Sequence, residues 1–585
     1  MSLLHDEIKQ ELAGLLQQGL AQMGVEESLE DLYNKLGQVP KNAVGHVSFP
    51  LFPYAKLLRN APPKLAAELA EKLGESTLVA EVKPVGPYLN FVLQRTEVGR
   101  IVGDSILSGA YFTKALTEDT PKTMVEYSQP NTHKEMHVGH MRNLALGDAL
   151  IRLHRYVGYD ILSATFPGDV GTHVAKCLWY LKYHNEEPIP ETGKGVWLGK
   201  MYVYGNGLLR EIEGTQAEVE AKAQMTEILK QLEAQAGEFY DLWRETREWS
   251  IDLMEGVYNW ADVQFDVWYW ESDVDADSVA YVKEQYEKGV FVESEGAIGM
   301  DLSEDGLGFA LLLKRDGTGL YATKDVELAR RKFQDYGIEK SVYIVDTRQA
   351  YHFKQVFKVL EKMGFDQARN CFHLQYNYVE GKEGMFSSRL GNAVPIMALI
   401  TNLEEAIRKN YLLPQVEKGE MDPDEVDPIA RIVAKGAIKY GMIRIDPAKK
   451  IVFDMREWIK IDGDSGPYQQ YTFARINRLL RKQGFDPEAA IDWNLLDDPR
   501  EMELLVMASR FNQAAVTAAE GYKPNFLTAY LYELARLYNN INNSIMIRDI
   551  TDPVRKNSRM ALHAVTAKII EKGMAIMGIS VPEKM

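Results

Sequence analysis

A chain of 585 residues, 46% hydrophobic and 26% charged, has an ordinary globular composition and predicts about three or four domains. Its two cysteines exclude a disulfide framework and a Cys-rich zinc site. The formal net charge of −17 argues weakly against a nucleic-acid partner, although such a sum can hide a local basic face.

The N-terminal segment and the cysteine usage predict a cytoplasmic protein. Apolar residues recur at helical spacing, with charged residues between them, at Leu4, Ile8, Leu12 and Leu15. This is the pattern of an amphipathic helix and not of a secretory signal peptide. No stretch reaches the roughly 18 consecutive apolar residues of a membrane span, and so few cysteines fit a reducing compartment.

Residues 1–112 are predicted to form a separate N-terminal α/β domain. Segment 62–74 begins with proline and ends with glycine, as a capped helix does. Residues 78–93 alternate loosely between apolar and polar side chains, which is typical of strands. A different pattern begins after residue 112.

Residues 113–412 are predicted to form a Rossmann-like catalytic domain with a parallel sheet. A short β-prone run from Met124 leads through a turn-like segment into a helical pattern that starts at His137, and a second strand follows at 161–165. This strand–loop–helix–strand order is typical of a nucleotide-binding sheet. The alternation resumes with a strand, a helix and a strand at 341–346, 350–364 and 372–379.

Two regions depart from this alternation. Residues 185–290 are charged and mostly helical in pattern, which predicts a helical insertion between two halves of the sheet. Residues 413–430 are rich in acids and proline, which predicts a linker. Beyond the linker, residues 430–585 are helical in pattern and predict an all-α C-terminal domain.

A pair of histidines marks the turn between the first strand of this sheet and the following helix. His137 and His140 share one helix face, and Gly139 lets a flat group approach the backbone. The free N–H groups and positive dipole end of a helix N-terminus suit a phosphate. The motif therefore predicts a nucleoside triphosphate site with two donors aimed at the departing pyrophosphate. The alternative is a pair of surface histidines beside a helix-capping turn.

Two enzyme classes place this motif there: class I aminoacyl-tRNA synthetases and small adenylyltransferases. Adenylyltransferases are normally single compact domains, so the extra domains favour the synthetases. Class I synthetases also have a mobile KMSKS loop late in the sheet. The matching octet here, Met385 to Asn392, is degenerate and has neither lysine. Its candidate ATP contacts are Phe386, Ser387, Ser388 and Arg389; the alternative is an ordinary loop.

Several ordered blocks make the chain resemble the arginyl-tRNA synthetase family over nearly its whole length. The first surrounds the histidine motif at 125–143. Further blocks lie at 166–173, 315–325, 348–355, 463–471 and 578–585, and the region around 62–70 is similar to the family's N-terminal domain. The resemblance implies ATP-dependent activation of L-arginine, followed by its transfer to tRNA(Arg), with adenylate formation waiting for bound tRNA.

The resemblance also implies an arginine pocket. Glu126, Asp325 and Tyr321 would hold the guanidinium, and Asn131 and Gln349 the α-amino end. Carboxylates suit this group because a guanidinium has five donors and a permanent charge. The structural alternatives are that Glu126 is a strand-edge acid, Asp325 a helix N-cap and Asn131 a turn residue.

Lys134 fits a departure known in this family. Many arginyl enzymes lack the second KMSKS lysine and have a lysine just upstream of the histidine motif, where Lys134 stands. The absent first lysine, at Met385, is a further departure. We expect catalysis by positioning and charge stabilisation through His137, His140, Lys134 and Arg389. Mg²⁺ is expected to arrive with ATP, because the sequence has no dedicated ligand cluster.

A basic stretch in the C-terminal domain predicts where tRNA binds. Residues 431–482 contain 12 Lys and Arg against 5 Asp and Glu. The basic residues of the helix at 475–482 share one side, and aromatics precede it, a combination that suits unpaired anticodon bases. The basic side chains are Arg475, Arg478, Arg481 and Lys482, and the aromatics are Tyr468, Tyr471 and Phe473. The alternative is a solvated helix face.

Remaining expectations concern partners and rival functions. The N-terminal domain would contact the outer corner of the tRNA, with Phe52 and Tyr54 as weak candidates. We expect a monomer without a membrane partner and without an editing site. Two rivals are a non-catalytic tRNA-binding relative of a synthetase, suggested by the degenerate loop, and a class I synthetase for another amino acid.

Overall fold

The computed structural model describes residues 6–40, 43–381, 384–385 and 394–585. An N-terminal α/β unit, a central parallel sheet with flanking helices and a C-terminal group of helices follow one another along the chain. The largest hydrophobic core runs through all three. Across the described ranges, none of the helices is both long and apolar enough to cross a lipid bilayer.

The N-terminal unit packs helices on a three-stranded antiparallel sheet. Its strands are Val47–Pro50, Tyr88–Leu93 and Val79–Val85, in that spatial order. Its helices are Glu7–Ala21, Leu29–Lys35 and Pro62–Lys72. The helix predicted at 62–74 and the strands predicted within 78–93 are therefore confirmed. Ile8, Leu12 and Leu15 are buried as an amphipathic helix requires, whereas Leu4 lies outside the described residues.

The central sheet has five parallel strands, and its order creates the cleft. In space they run Cys371–Tyr376, Lys340–Asp346, Thr123–Glu126, Ile161–Thr165 and Val267–Trp268. From the middle strand, Thr123–Glu126, the chain first builds outward on one side and later returns to build on the other. In such sheets ligands bind beyond the carboxyl ends of the strands at this reversal. The predicted parallel sheet is confirmed, including the strand at 161–165.

Helices Val138–Val157, Tyr321–Tyr336 and Ala350–Lys362 pack on this sheet. The helix Thr172–Tyr183, which follows the strand Ile161–Thr165, packs instead on helices of the 185–290 region. The helix Val138–Val157 begins directly after its N-cap, His137, and ends at Gly158, whose φ of 110° favours glycine. The helices predicted from His137 and at 350–364 are confirmed.

The region predicted as a helical insertion, 185–290, is more varied than its pattern indicates. It contains the helices Lys194–Glu211, Gln216–Glu233, Glu238–Ala261 and Glu271–Glu287. Val267–Trp268, inside the same range, is the edge strand of the central sheet. Two residues are too few to show an alternating pattern. A three-stranded antiparallel sheet of Val292–Ser294, Ala297–Leu302 and Gly308–Leu313 follows.

The predicted strand at 372–379 is two strands. Cys371–Tyr376 belongs to the central sheet, and Val379–Gly381 lies between Gly384–Met385 and Ile451–Val452 in a separate small sheet. The predicted linker at 413–430 contains the short helix Leu413–Glu417 and the start of the helix Val426–Ile443. Pro414 is tolerated in the helix Leu413–Glu417 because it stands in the first turn.

The C-terminal unit is helical as predicted, apart from Ile451–Val452. After Ile396–Ile407, its helices are Val426–Ile443, Met455–Trp458, Gly466–Gln483, Pro499–Ser509, Phe511–Glu520, Asn525–Ser544 and Pro553–Ile576.

The indole of Trp493 joins this C-terminal unit to the end of the N-terminal unit. The indole lies against Gly99 and Gly103, where any Cβ would come within 2.3 Å of it. These glycines belong to a π-helical turn, Gly99–Asp104, between the short helices Arg95–Val98 and Ser105–Ser108. The indole Nε1 donates to Asp104 Oδ1 at 2.9 Å, which fixes the ring in this contact.

Candidate active site

A cleft of about 650 Å³ opens beyond the carboxyl ends of the central strands. Every predicted pocket residue in the described part of the chain lines it, as do both histidines and the glycine between them. These residues are Glu126, Asn131, His137, Gly139, His140, Tyr321, Asp325 and Gln349. Phe386, Ser387, Ser388 and Arg389 lie outside the described residues. Glu126 and Asp325 thus face the same cleft as His137 and His140.

The two histidines, with Gly139, form what we call the histidine half of the cleft. Their rings lie 4.1 Å apart. His137 Nδ1 accepts from the backbone N–H of Gly139 at 3.0 Å, and His140 Nδ1 accepts from that of His137 at 3.1 Å. A neutral imidazole that accepts at Nδ1 has its proton on Nε2. Each ring can therefore donate one hydrogen bond from Nε2.

Both histidines are neutral at ordinary pH. Burial, with a smaller contribution from Arg348, lowers the pKa of His137 to about 4. Burial lowers the pKa of His140 well below its usual value, and nearby His137 and Lys134 add to the effect. The histidine half therefore offers hydrogen-bond donors without a fixed positive charge of its own.

Gly139 is required by the fold of the turn itself. A Cβ at this position would lie 2.8 Å from His137 Cε1 and 3.0 Å from its Nδ1. Any side chain would push the His137 ring away from the backbone N–H that it accepts from. Glycine thus fixes the orientation of His137 while leaving the backbone open.

Glu126 is paired from beneath by a buried lysine, Lys332. Lys332 Nζ forms an ion pair with Glu126 Oε2 and lies 3.8 Å from the ring centre of Tyr343. The Glu126 and Lys332 side chains are 5% and 0% exposed. The other oxygen, Glu126 Oε1, accepts from Gln129 Nε2 at 3.0 Å. Glu126 is therefore more than a strand-edge acid: it is a buried carboxylate held in one orientation at the floor of the cleft.

Asp325 has a titratable partner. Asp325 lies near the start of the helix Tyr321–Tyr336 and His352 near the start of Ala350–Lys362. Asp325 Oδ2 and His352 Nε2 are 2.5 Å apart. Asp325 is not the N-cap of its helix, because Leu320 occupies that position. Its side chain lines the cleft from the helix Tyr321–Tyr336.

Glu271 lines the cleft and was missed by the sequence reasoning. Its Oε1 accepts from Lys324 Nζ at 3.1 Å, while Oε2 is buried and has no hydrogen-bond partner. Burial raises its pKa to about 7, against the opposing effect of Lys324. The available signal was an acid three residues after Trp268, but a strand of two residues gave no reason to look there. With Glu126, Asp325 and Asp346, which also lines the cleft, it forms what we call the acidic half.

Lys134 and Arg348 lie beside the histidine half. Lys134 Nζ is 4.8 Å from the ring centre of Tyr202, and Lys134 is not among the residues that line the cleft. Arg348, which the sequence reasoning did not single out, does line it. Its Nε and Nη2 donate to the two carboxylate oxygens of Asp346 at 2.8 and 2.9 Å. Its position one residue before Gln349 was the available signal.

The remaining predicted pocket residues lie at the rim and along one wall. Tyr321 is 67% exposed at the mouth. Asn131 forms an isolated parallel bridge to Gly168, and a Cβ at Gly168 would lie 2.4 Å from Asn131 Oδ1. Asn131 is therefore part of a tight turn contact and a cleft wall at once.

The predicted basic helix face lies on Gly466–Gln483. Arg475, Arg478 and Lys482 line two neighbouring depressions of about 470 and 510 Å³, and Arg481 and Tyr471 line the first of them. Phe473 is buried, and Tyr468 accepts from Asn539 at 3.0 Å. In the N-terminal unit, Phe52 is exposed, whereas Tyr54 is buried. Burial leaves Tyr54 unsuited to contacting a partner.

Within the described ranges, no group of three or more His, Cys, Asp or Glu side chains is placed to hold a metal ion.

Three family models match the chain and together cover most of it. They are described as "Arginyl tRNA synthetase N terminal domain" at residues 2–93, "tRNA synthetases class I (R), catalytic domain" at 103–455 and "DALR anticodon binding domain" at 469–585. The catalytic model alone matches more than half of the chain.

Curated relatives and solved structures agree with these models. The arginine–tRNA ligase of Bdellovibrio bacteriovorus is 51% identical, over 99% of this chain and 100% of its own. That of Parabacteroides distasonis is 32% identical over the same shares. The structure of Thermus thermophilus arginyl-tRNA synthetase matches with a TM-score of 0.78 at 26% identity, over 99% of this chain and 100% of that one.

Proposed function

The chain belongs to the arginyl-tRNA synthetase family, and from this premise we propose how its cleft carries out the family's reaction. It is a class I arginine–tRNA ligase, which activates L-arginine with ATP and transfers the arginyl group to tRNA(Arg). The observation that supports our assignment of roles is the placement of Glu126 and Asp325 across one cleft from His137 and His140.

The acidic half binds arginine. Glu126 and Asp325 accept hydrogen bonds from the guanidinium, and Tyr321 closes over it at the mouth. Asn131 and Gln349 hold the α-amino end, which directs the carboxylate of arginine toward the histidine half. The pocket selects strongly for a guanidinium, because an analogue that lacks its five donors leaves the remaining acceptor positions of these buried carboxylates unsatisfied.

Glu271 joins this pocket. Its buried, unpartnered Oε2 faces the cleft on the side of Asn131, since both approach the Cβ position of Gly168. An unpaired buried oxygen is costly unless a ligand satisfies it. We assign it to the α-amino group of arginine, together with Asn131.

The histidine half binds ATP. His137 and His140 donate from Nε2 to phosphate oxygens, and Gly139 leaves room beside the backbone. Lys134, which lies beside the histidine half without lining the cleft, adds positive charge near the phosphates. We assign Phe386, Ser387, Ser388 and Arg389 to contacts with ATP, by their position in the sequence octet that matches the family's loop; they lie outside the described residues. Mg²⁺ would arrive with ATP and would neutralise part of the charge of its phosphates.

The reaction has two steps and needs no protein nucleophile. A carboxylate oxygen of arginine attacks the α-phosphorus of ATP in line, and pyrophosphate leaves with the bonding electrons. A hydroxyl oxygen of the 3′-terminal ribose of tRNA then attacks the carbonyl carbon, the hydroxyl proton passes to the phosphate of the departing AMP, and AMP leaves. The chain contributes positioning and stabilisation of the charge on the departing pyrophosphate.

Transfer RNA binds to the C-terminal and N-terminal units. We assign the anticodon to the basic face of Gly466–Gln483 and the outer corner of the tRNA to the N-terminal domain, at Phe52. The domain limits that follow are 1–112, 113–412 with an insertion in 185–290, and 430–585. The enzyme acts as a cytoplasmic monomer and has no editing site.

Arginine-dependent ATP–pyrophosphate exchange, measured with and without tRNA, tests the assignment. We expect exchange that requires tRNA in the intact protein. Asp325→Asn should lower kcat/KM for arginine about a hundredfold, since removing one partner of a buried charge pair costs about 2–5 kcal/mol. Asp335→Asn, an exposed acid on the same helix, is the matched control and should change little. Exchange absent in both conditions, or equal loss in both variants, would refute the assignment.

A further inference from the structure

Every carboxylate of the acidic half is already bound to a base of this chain. The four pairs are Glu126 with Lys332, Glu271 with Lys324, Asp346 with Arg348, and Asp325 with His352. Lysine and arginine keep their charge throughout the neutral range, whereas histidine loses it there. Asp325 is thus the acid whose partner can give up its positive charge near neutral pH.

The Asp325–His352 pair stands at the surface that a guanidinium would reach. Both side chains line the cleft, and their exposed fractions are 17% and 27%. By contrast, Lys332 is fully buried beneath Glu126. An incoming ligand can therefore replace the charge on His352, while it cannot displace Lys332.

We propose that His352 is a specificity-determining residue, which releases its proton to solvent when the guanidinium of arginine binds Asp325. The inference rests on the proposed role of Asp325 in arginine binding. The charge balance is simple: one cation, the guanidinium, enters the cleft and one cation, the proton of His352, leaves it. The neutral imidazole remains beside Asp325. An uncharged side chain of the same shape, such as that of citrulline, brings no charge that would expel the proton.

The charges around His352 support a proton that is held in the free enzyme and lost in the complex. Burial opposes the charge, but the hydrogen bond and attraction of Asp325 outweigh it, so the pKa of His352 is raised above its ordinary value. From the neighbouring strand Cys371–Tyr376, His373 faces it, with a pKa lowered mainly by burial and further by His352. Asp346 and Arg348 at the preceding turn neutralise each other. A second cation beside Asp325 reverses the balance by repulsion.

Linkage gives the direction of the pH effect. Because arginine prefers the form with neutral His352, its KM rises as pH falls through the raised pKa of free His352, by at most roughly tenfold per pH unit for one proton. Glu271, whose pKa is raised to about 7, releases a proton in the same direction. The contribution of His352 is therefore the difference between the intact enzyme and a variant that keeps Glu271.

Calorimetric titration of the full chain, with its tRNA bound, tests the proposal. Arginine is titrated near pH 7 in two buffers that differ in heat of ionisation, which counts the protons released. His352→Gln keeps a hydrogen-bond donor for Asp325 but cannot titrate. His184→Gln, an exposed histidine at the end of the helix Thr172–Tyr183, is the matched control.

We expect the intact enzyme and the His184 variant to release more protons than His352→Gln, by at most about one proton per bound arginine. The variant should also show a flatter pH profile of KM, with kcat nearly unchanged. His352→Lys, with a permanent charge, should raise the KM for arginine at least tenfold at pH 8. Citrulline should release no proton from His352 in the intact enzyme or in the His184 variant.

Two outcomes separate the failure of this inference from that of the proposed function. Arginine that binds with equal proton release in the intact enzyme and in His352→Gln would overturn the role of His352 and leave the pocket intact. Arginine that does not bind the intact enzyme would overturn the pocket itself. If His352→Gln fails to bind ATP and so is misfolded, arginine is compared with citrulline in the intact enzyme, since both bring an α-amino group to Glu271: equal proton release by the two ligands overturns the inference.

Discussion

The two halves of the cleft manage charge in opposite ways. In the acidic half, each carboxylate is paired with a base of the chain before any ligand arrives. In the histidine half, His137 and His140 are neutral donors held by backbone N–H groups. The difference fits the ligands proposed for the two halves. A cationic amino acid would add one charge to buried acids that are already stable without it, whereas a triphosphate would need oriented donors.

The largest expected effect comes from breaking a pair in the acidic half. Lys332→Met leaves Glu126 buried without its cation, which should cost about 3–5 kcal/mol of stability. The variant should unfold at a lower denaturant concentration. Arginine-dependent exchange should be lost at arginine concentrations that saturate the intact enzyme. Lys332→Arg keeps the charge and should recover most of both. Equal behaviour of the methionine and arginine variants would show that the charge is unimportant.

A smaller effect is expected in the histidine half. His140→Ala removes one neutral donor proposed to contact the departing pyrophosphate and should lower kcat of exchange at least tenfold, and by up to the roughly 10²–10³ found for other such donors. The affinity for tRNA should persist, as measured by filter binding. Unchanged turnover would remove His140 from the mechanism. Stability should change little, in contrast with Lys332→Met, because a neutral imidazole leaves no buried charge behind.

The smallest effect sharpens the comparison through pH. Because the pKa of His137 is about 4 and that of His140 lies well below its usual value, neither gains a proton between pH 8 and 6. At saturating arginine, kcat/KM for ATP reports the free enzyme and should therefore show no titration of either histidine over this range. A variant His140→Ala that removes a titration step between pH 8 and 6 would show that His140 does titrate there.

A local pattern predicted the histidine half, and the family resemblance predicted two of the four acids of the acidic half, Glu126 and Asp325. The motif from His137 to His140 lies at one turn, and the blocks around Glu126 and Asp325 are contiguous in sequence. Such features need only neighbouring residues and the rule that ligands gather at the carboxyl ends of parallel strands.

The partners of these residues could not be predicted in the same way. Lys332 is 206 positions from Glu126 and is an ordinary basic residue in an amphipathic helix until the helix is packed on the sheet. Glu271 follows a strand of two residues that shows no period. Pairings of this kind depend on tertiary packing, which sequence patterns do not report.

The packing of the Trp493 indole against Gly99 and Gly103 has a consequence for which tRNA shapes the protein can bind. If the N-terminal domain contacts the outer corner of the tRNA and the helix Gly466–Gln483 contacts the anticodon, the Trp493 indole fixes the distance between these two tRNA-binding surfaces. A tRNA with a different distance from its corner to its anticodon would then reach only one of these two surfaces at a time.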